Sequence, residues 1–420
     1  MSHKRVILSL IALAVAISVG FPAPAQDLRD MQFFAPAELD TYSGPREAKE
    51  GFFFTFDYLI WSISAPEVVP IGFPSESGRE VWLGPNPEDV ITQNNTHDTG
   101  VFGAEFVSGQ RFQGGYVYGH QGLLFSAWRL NSQTQDVRTG SMDMVFNDEE
   151  AGGDLDLQHL VGYVDEAQTV LRPLPVTFDS TTIRNRVNTW GVELSYLLRS
   201  NQCHSGGYFE TFLGARYLEF NDQFFLNAFG ELVAVTIADG VATEVPQGDT
   251  TTAIYKGTLA NSFWRQDAYN HIVGPQVGAR WFNHYGRWML STEGRFFAGF
   301  NSQNLHQQGR IGTELNSSSG ALIDPENHVP VAFRSSGFEH VDHENEWSPG
   351  IELQANLEWQ WTRNISLGAG WSGMWLDGIA RASNLINYEF GTSSLMGIQT
   401  ENNRQDVFIH GATFRINVNR

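Results

Sequence analysis

The chain has 420 residues, with 47 acidic against 26 basic side chains and a formal net charge of −21. That balance excludes a nucleic-acid partner, since phosphate backbones are held by clustered Lys and Arg, and favours small solutes or cations instead. Cys203 is the only cysteine, so no intramolecular disulfide is available to stabilise the fold.

The chain opens with His3, Lys4 and Arg5, continues through an apolar run over 6–19, and reaches Ala23-Pro24-Ala25 before Gln26. This is the charged, apolar, small-residue succession of a secretory leader cleaved after Ala25. The run falls short of the roughly 20 residues a spanning helix needs. Removing Lys4 and Arg5 with the leader moves the formal charge from −21 to −23. Residues 26–50, polar and carrying Pro36 and Pro45, read as a periplasmic linker. Residues 51–420 read as one outer-membrane barrel, because no later window is apolar for 18 residues and only strands can cross a bilayer there.

The strand signal is alternation with period two, which sends successive side chains to opposite faces. It is clearest where Ile351, Leu353, Ala355, Leu357, Trp359 and Trp361 alternate with Glu352, Gln354, Asn356, Glu358 and Gln360. Ten segments show it: 52–63, 101–110, 114–130, 187–198, 208–220, 272–282, 288–300, 351–361, 365–375 and 407–418. They meet or exceed the roughly 9 to 11 residues of a tilted membrane strand, whereas strands of soluble sheets average about 5 to 6. The expected fold class is therefore all-β, a transmembrane antiparallel up-and-down β-barrel of ten strands. The alternative has twelve, adding a hairpin from Phe224 to Trp264. Short connections near Arg111, at 199–207, at 283–287 and at Thr362 alternate with long ones beginning at Ser64, Asn131, Asn221, Asn301 and Asp377. Short periplasmic turns and long external loops are the rule in such barrels, and the long connections carry nearly all of the net negative charge.

The same alternation places Glu105, Glu193, Glu210, Arg216, Arg280, Glu293, Arg295, Glu352, Glu358 and Arg415 on the inward face. Charges of both signs in a lumen either line water or pair with one another. His340, Asp342 and His343 lie at the outer end of a strand, where His and Asp could hold zinc or do acid-base work. Their spacing matches no zinc motif, and a solvated loop is the alternative; His97-Asp98 adds little. Asp148, Glu149, Glu150, Asp154 and Asp156 surround Gly152-Gly153 in the longest loop but lack the spacing of a calcium loop. No cofactor motif occurs in the chain.

Several segments together resemble a known family: 52–61 (FFFTFDYLIW), 214–218 (GARYL), 274–281 (GPQVGARW) and 370–375 (GWSGMW). They are similar to the strand signatures of planctomycete-type outer-membrane β-barrel, porin-like proteins, in an order that covers nearly the whole chain after the leader. The resemblance implies a pore-forming or porin-like barrel and supplies no catalytic residues. One departure is that such barrels often end on an aromatic residue read by the barrel-assembly machinery, whereas this chain ends Val418-Asn419-Arg420.

The expected function is a porin-like or narrow channel that passes small solutes or ions with cation preference. A structural or surface-interaction barrel with a plugged lumen and acidic external loops is the first alternative, and a loop-borne outer-membrane hydrolase the second. Expected partners are outer-membrane lipid and lipopolysaccharide, the barrel-assembly machinery and small solutes or cations.

Overall fold

A strand with one apolar and one polar face can sit in lipid only if its backbone groups pair laterally on both sides, which forces the sheet to close on itself. The computed structural model shows that closure. It describes residues 50–419 except 73–78, 83–89, 94–96, 141, 145–146, 149–160, 165–170, 175, 204–206, 230, 233–234, 239–240, 245–256, 259–261, 311–336 and 391–394. The expected leader and nearly all of the expected linker lie outside the described residues, as do Glu149, Glu150, Asp154 and Asp156 of the acidic loop.

Ten antiparallel strands form the wall: β1 Gly51–Ile63, β2 Glu105–Tyr118, β3 Gln121–Leu130, β4 Ser180–Arg199, β5 Tyr208–Phe229, β6 Ser262–Tyr285, β7 Trp288–Arg310, β8 Phe338–Gln360, β9 Ile365–Ile379 and β10 Gln405–Asn419. Each pairs with the next in chain order, and β10 returns to β1 with Phe53 opposite Asn419 and Ile63 opposite Ile409. An eleventh piece, Gln133–Thr139, continues β3 along β4. Trp190 faces Arg129 while Val187 faces Gln133, so the β3 side holds one extra residue, a bulge.

Every strand exposes one face and buries the other. Phe54, Tyr58, Phe112, Tyr116, Leu194, Leu213, Phe296, Ile351 and Phe414 point outward as the lipid-facing surface. Leu59, Trp61, Leu130, Phe220, Ile272 and Phe297 point inward and pack together. At the periplasmic end the chain reverses tightly, and Gly119 and Gly286 supply the positive φ values of 56° and 57° that these turns require.

Two expectations are corrected. The first hairpin turns at Gly119 and His120, not near Arg111, and residues 101–104 precede the strand, Thr99–Val101 being a 3-10 turn that Asp98 caps through Gly100 N at 2.9 Å. Arg111 looks like a turn residue in a water-exposed chain, but in a barrel the inward face is where a charge belongs. The strands are also longer than the alternation suggests. β4 to β8 run for 20, 22, 24, 23 and 23 residues, well past the hydrocarbon, so Phe224 and Trp264 lie within β5 and β6 and add no hairpin.

Candidate functional site: the barrel lumen

Ten strands enclose a lumen only slightly wider than that of eight, which side chains already fill. Here the filling is layered. Near the periplasmic end twelve charged side chains form one chain in which the sign alternates at every step: Arg199, Glu210, Arg280, Glu293, Arg295, Glu193, Arg216, Glu352, Arg111, Asp57, Arg415 and Glu358. Among its links, Arg199 meets Glu210 at 2.7 Å, Arg216 meets Glu193 at 2.8 Å, and Asp57 is held by Arg111 and Arg415 at 2.7 Å each. Six arginines face six carboxylates, so the layer is neutral as a whole, and none of the twelve side chains is more than 12% exposed.

Four links join strands that are not neighbours: Arg415 on β10 reaches past β9 to Glu358 on β8, and three cross the lumen, Arg295 on β7 to Glu193 on β4, Arg216 on β5 to Glu352 on β8, and Arg111 on β2 to Glu352. Amides tie the layer further. Gln354 Oε1 accepts from Arg111 at 3.1 Å, and Gln276 Nε2 donates to Glu193 at 3.1 Å and to Ser195 Oγ at 2.9 Å. Below the layer a cavity of about 120 Å³ opens toward the periplasm between Phe53, Tyr208, Arg287, Gln360 and Asn417.

Above the charged layer lies the apolar cluster around Trp61, Trp128, Phe220 and Phe297. Farther out, the connection between β9 and β10 folds into the mouth. Arg381 is 1% exposed, donates to Asp222 and reaches Ser64 O at 3.1 Å. Asn270 and Asn301 clasp the same segment through Ala380 O and Gly378 O, at 2.9 Å each. A second apolar cluster, with Phe178, Phe224, Trp264, Leu305, Leu385 and Tyr388, closes the external end.

Nine of the ten inward residues named from the sequence lie in the ion-pair chain; the tenth, Glu105, has the same parity but is exposed at the lower-numbered end of β2. Asp57, Arg111 and Arg199 complete the chain and are not among the ten. Asp57 has the inward parity within its strand, and counting in twos from Thr55 would have found it. The local sequence around Arg111 and Arg199 reads as a turn, which masks their inward parity, and Asp222 and Arg381 fall in stretches whose sequence reads as long connections.

His340, Asp342 and His343 do not converge. His340 and Asp342 share one face of β8, whereas His343 points to the opposite, outer face, where its Nδ1 contacts Asn304 Oδ1 at 2.9 Å. Among the described residues no group of three or more His, Cys, Asp or Glu is arranged to hold a metal ion.

A closed antiparallel barrel with an apolar outer surface and a charged interior defines a porin-like outer-membrane β-barrel protein. The family model described as Putative beta barrel porin-7 (BBP7) matches residues 53–419, and the chain belongs to that family. No curated protein matches it. Among solved structures, the outer membrane protease OmpT of Escherichia coli is 7% identical, with 89% of this chain and 98% of that chain covered and a TM-score of 0.37. A Pseudomonas aeruginosa FadL homologue is 9% identical, with 88% and 90% covered and a TM-score of 0.20. The toluene transporter TodX of P. putida is 9% identical, with 89% and 91% covered and a TM-score of 0.19. These likenesses carry no functional argument.

Proposed function

We propose that this outer-membrane barrel is shut at rest, a narrow, gated channel and not an open diffusion pore. The observation that carries the reading is the set of ion pairs that cross the lumen through Glu193 and Glu352. A solute passing this level would have to separate guanidinium and carboxylate groups that lie out of water, and breaking such a pair costs about 3–5 kcal/mol. The charged layer is neutral, so it sets little preference of its own. The acidic external connections raise the local cation concentration, which makes cations the favoured ions whenever the path opens.

Planar-bilayer recording tests this. The unmodified protein is expected to give small, infrequent openings, and Glu352→Gln combined with Glu358→Gln to change their size or frequency. Large, sustained, unselective currents from the unmodified protein would refute a closed resting state. Complete silence of both proteins would favour the plugged structural barrel.

A further inference from the structure

The outer wall of β3 and β4 carries an excess of arginine among the described residues. β3 leaves its periplasmic turn at Gln121 and sends Leu123 and Phe125 outward, then Arg129, its ninth residue. That is about the length that crosses the hydrocarbon, so the guanidinium emerges where acyl chains give way to headgroups. β4 runs beside it with Leu198, Tyr196 and Leu194 outward, then Trp190 directly opposite Arg129, and Arg186 beyond. Between them a groove of about 530 Å³ is lined by Phe112, Ala127, Arg129, Asn188, Trp190 and Val192.

In a chain of net charge −21, this wall carries Arg129, Arg138, Arg184 and Arg186 with Asp136 as their acidic neighbour, and Asp136 is taken by Arg184. Arg186 Nε donates to Ser132 Oγ at 2.9 Å. Arg129 has no hydrogen bond or ion pair among the described residues, and its donors are free above the groove. Glu219, opposite Trp190 on the other side, is held by Asn221 at 2.7 Å and lies 3.7 Å from His271.

We propose that this groove binds the phosphorylated headgroup of an outer-leaflet lipid. The Arg129 fork takes the phosphate, Arg186 adds a second charge, and Trp190 and Phe112 flank the adjoining acyl chain. Arginine suits phosphate because its planar donors meet two oxygens at once. Trp favours the interface between acyl chains and headgroups, and basic pockets at that depth select anionic lipids. The site does not depend on whether the lumen conducts.

Native mass spectrometry of the folded protein in neutral detergent tests it, using a bis-phosphorylated glycolipid, the same lipid dephosphorylated, and inorganic phosphate. The phosphorylated lipid is expected to be retained and the dephosphorylated one lost. Arg129→Gln with Arg186→Gln should lower retention by roughly tenfold or more, the effect of losing one charge-assisted contact or better. Arg404→Gln, beside β10 and paired with Glu346, should leave retention unchanged. Equal retention of both lipids, displacement by equimolar inorganic phosphate, or unchanged retention in the double variant would overturn the proposal. The lipid selectivity of the unmodified protein decides the matter if the double variant does not fold.

Discussion

Glu193 lies between Arg216 and Arg295 and accepts from Gln276 as well, so one carboxylate compensates two buried guanidinium groups. Glu193→Ala would leave six arginines to five carboxylates, with Arg216 retaining Glu352 and Arg295 retaining Glu293 but one buried positive charge uncompensated, at a cost of about 3–5 kcal/mol. We expect a clear fall in the urea midpoint of the detergent-folded protein; an unchanged midpoint would mean that water reaches this layer freely.

Among the elements, the connection after β9 decides whether the external mouth is closed. Its backbone is clasped by side chains of β6 and β7, with Asn270 exchanging hydrogen bonds with Ala380 in both directions at 2.8 and 2.9 Å. Gly378 O accepts from Asn301 at 2.9 Å and from Gln303 at 3.1 Å. Arg381 is the ionic anchor, and its loss leaves the buried Asp222 with Asn185, at 2.7 Å, as its side-chain partner among the described residues. Arg381→Gln should loosen the segment, raise the frequency of channel openings and expose 380–388 to limited proteolysis. If currents and cleavage both match those of the unmodified protein, the segment is held by its backbone bonds and apolar packing alone. The sheet beneath should survive the change, because the β9 to β10 ladder runs from Ile365 opposite Val418 up to Leu376 opposite Val407 without it.

Among the described residues the wall closes into a ladder, since β10 pairs along the length of β1. Without a disulfide, its resistance to unfolding comes from that closure and from the buried interior layers. Unheated protein is therefore expected to migrate faster than boiled protein in a detergent gel, and identical migration would contradict a closed barrel. The charge distribution also acts at this scale: a neutral layer inside, an acidic external end and one basic patch on the β3–β4 wall.

The sequence by itself determined the strand faces, the count of ten and the split between short and long connections. Lipid and lumen impose opposite chemistry at a fixed period of two, and that period is local. It also placed most of the charged lumen residues on the inner face by parity alone. Only the tertiary structure decided that these charges pair across the lumen, because Arg216 and Glu352, or Arg295 and Glu193, are 136 and 102 residues apart and meet only when the sheet has curled shut. It also decided the upper halves of β4 to β8. There the outward residues turn polar beyond the membrane and the inward ones stay mixed, so the alternation fades although the backbone ladder continues. Arg111 shows the limit most plainly. Its side chain reads as a solvated turn in the local sequence, and only the burial of Asp57 opposite it gives the charge a reason to point inward.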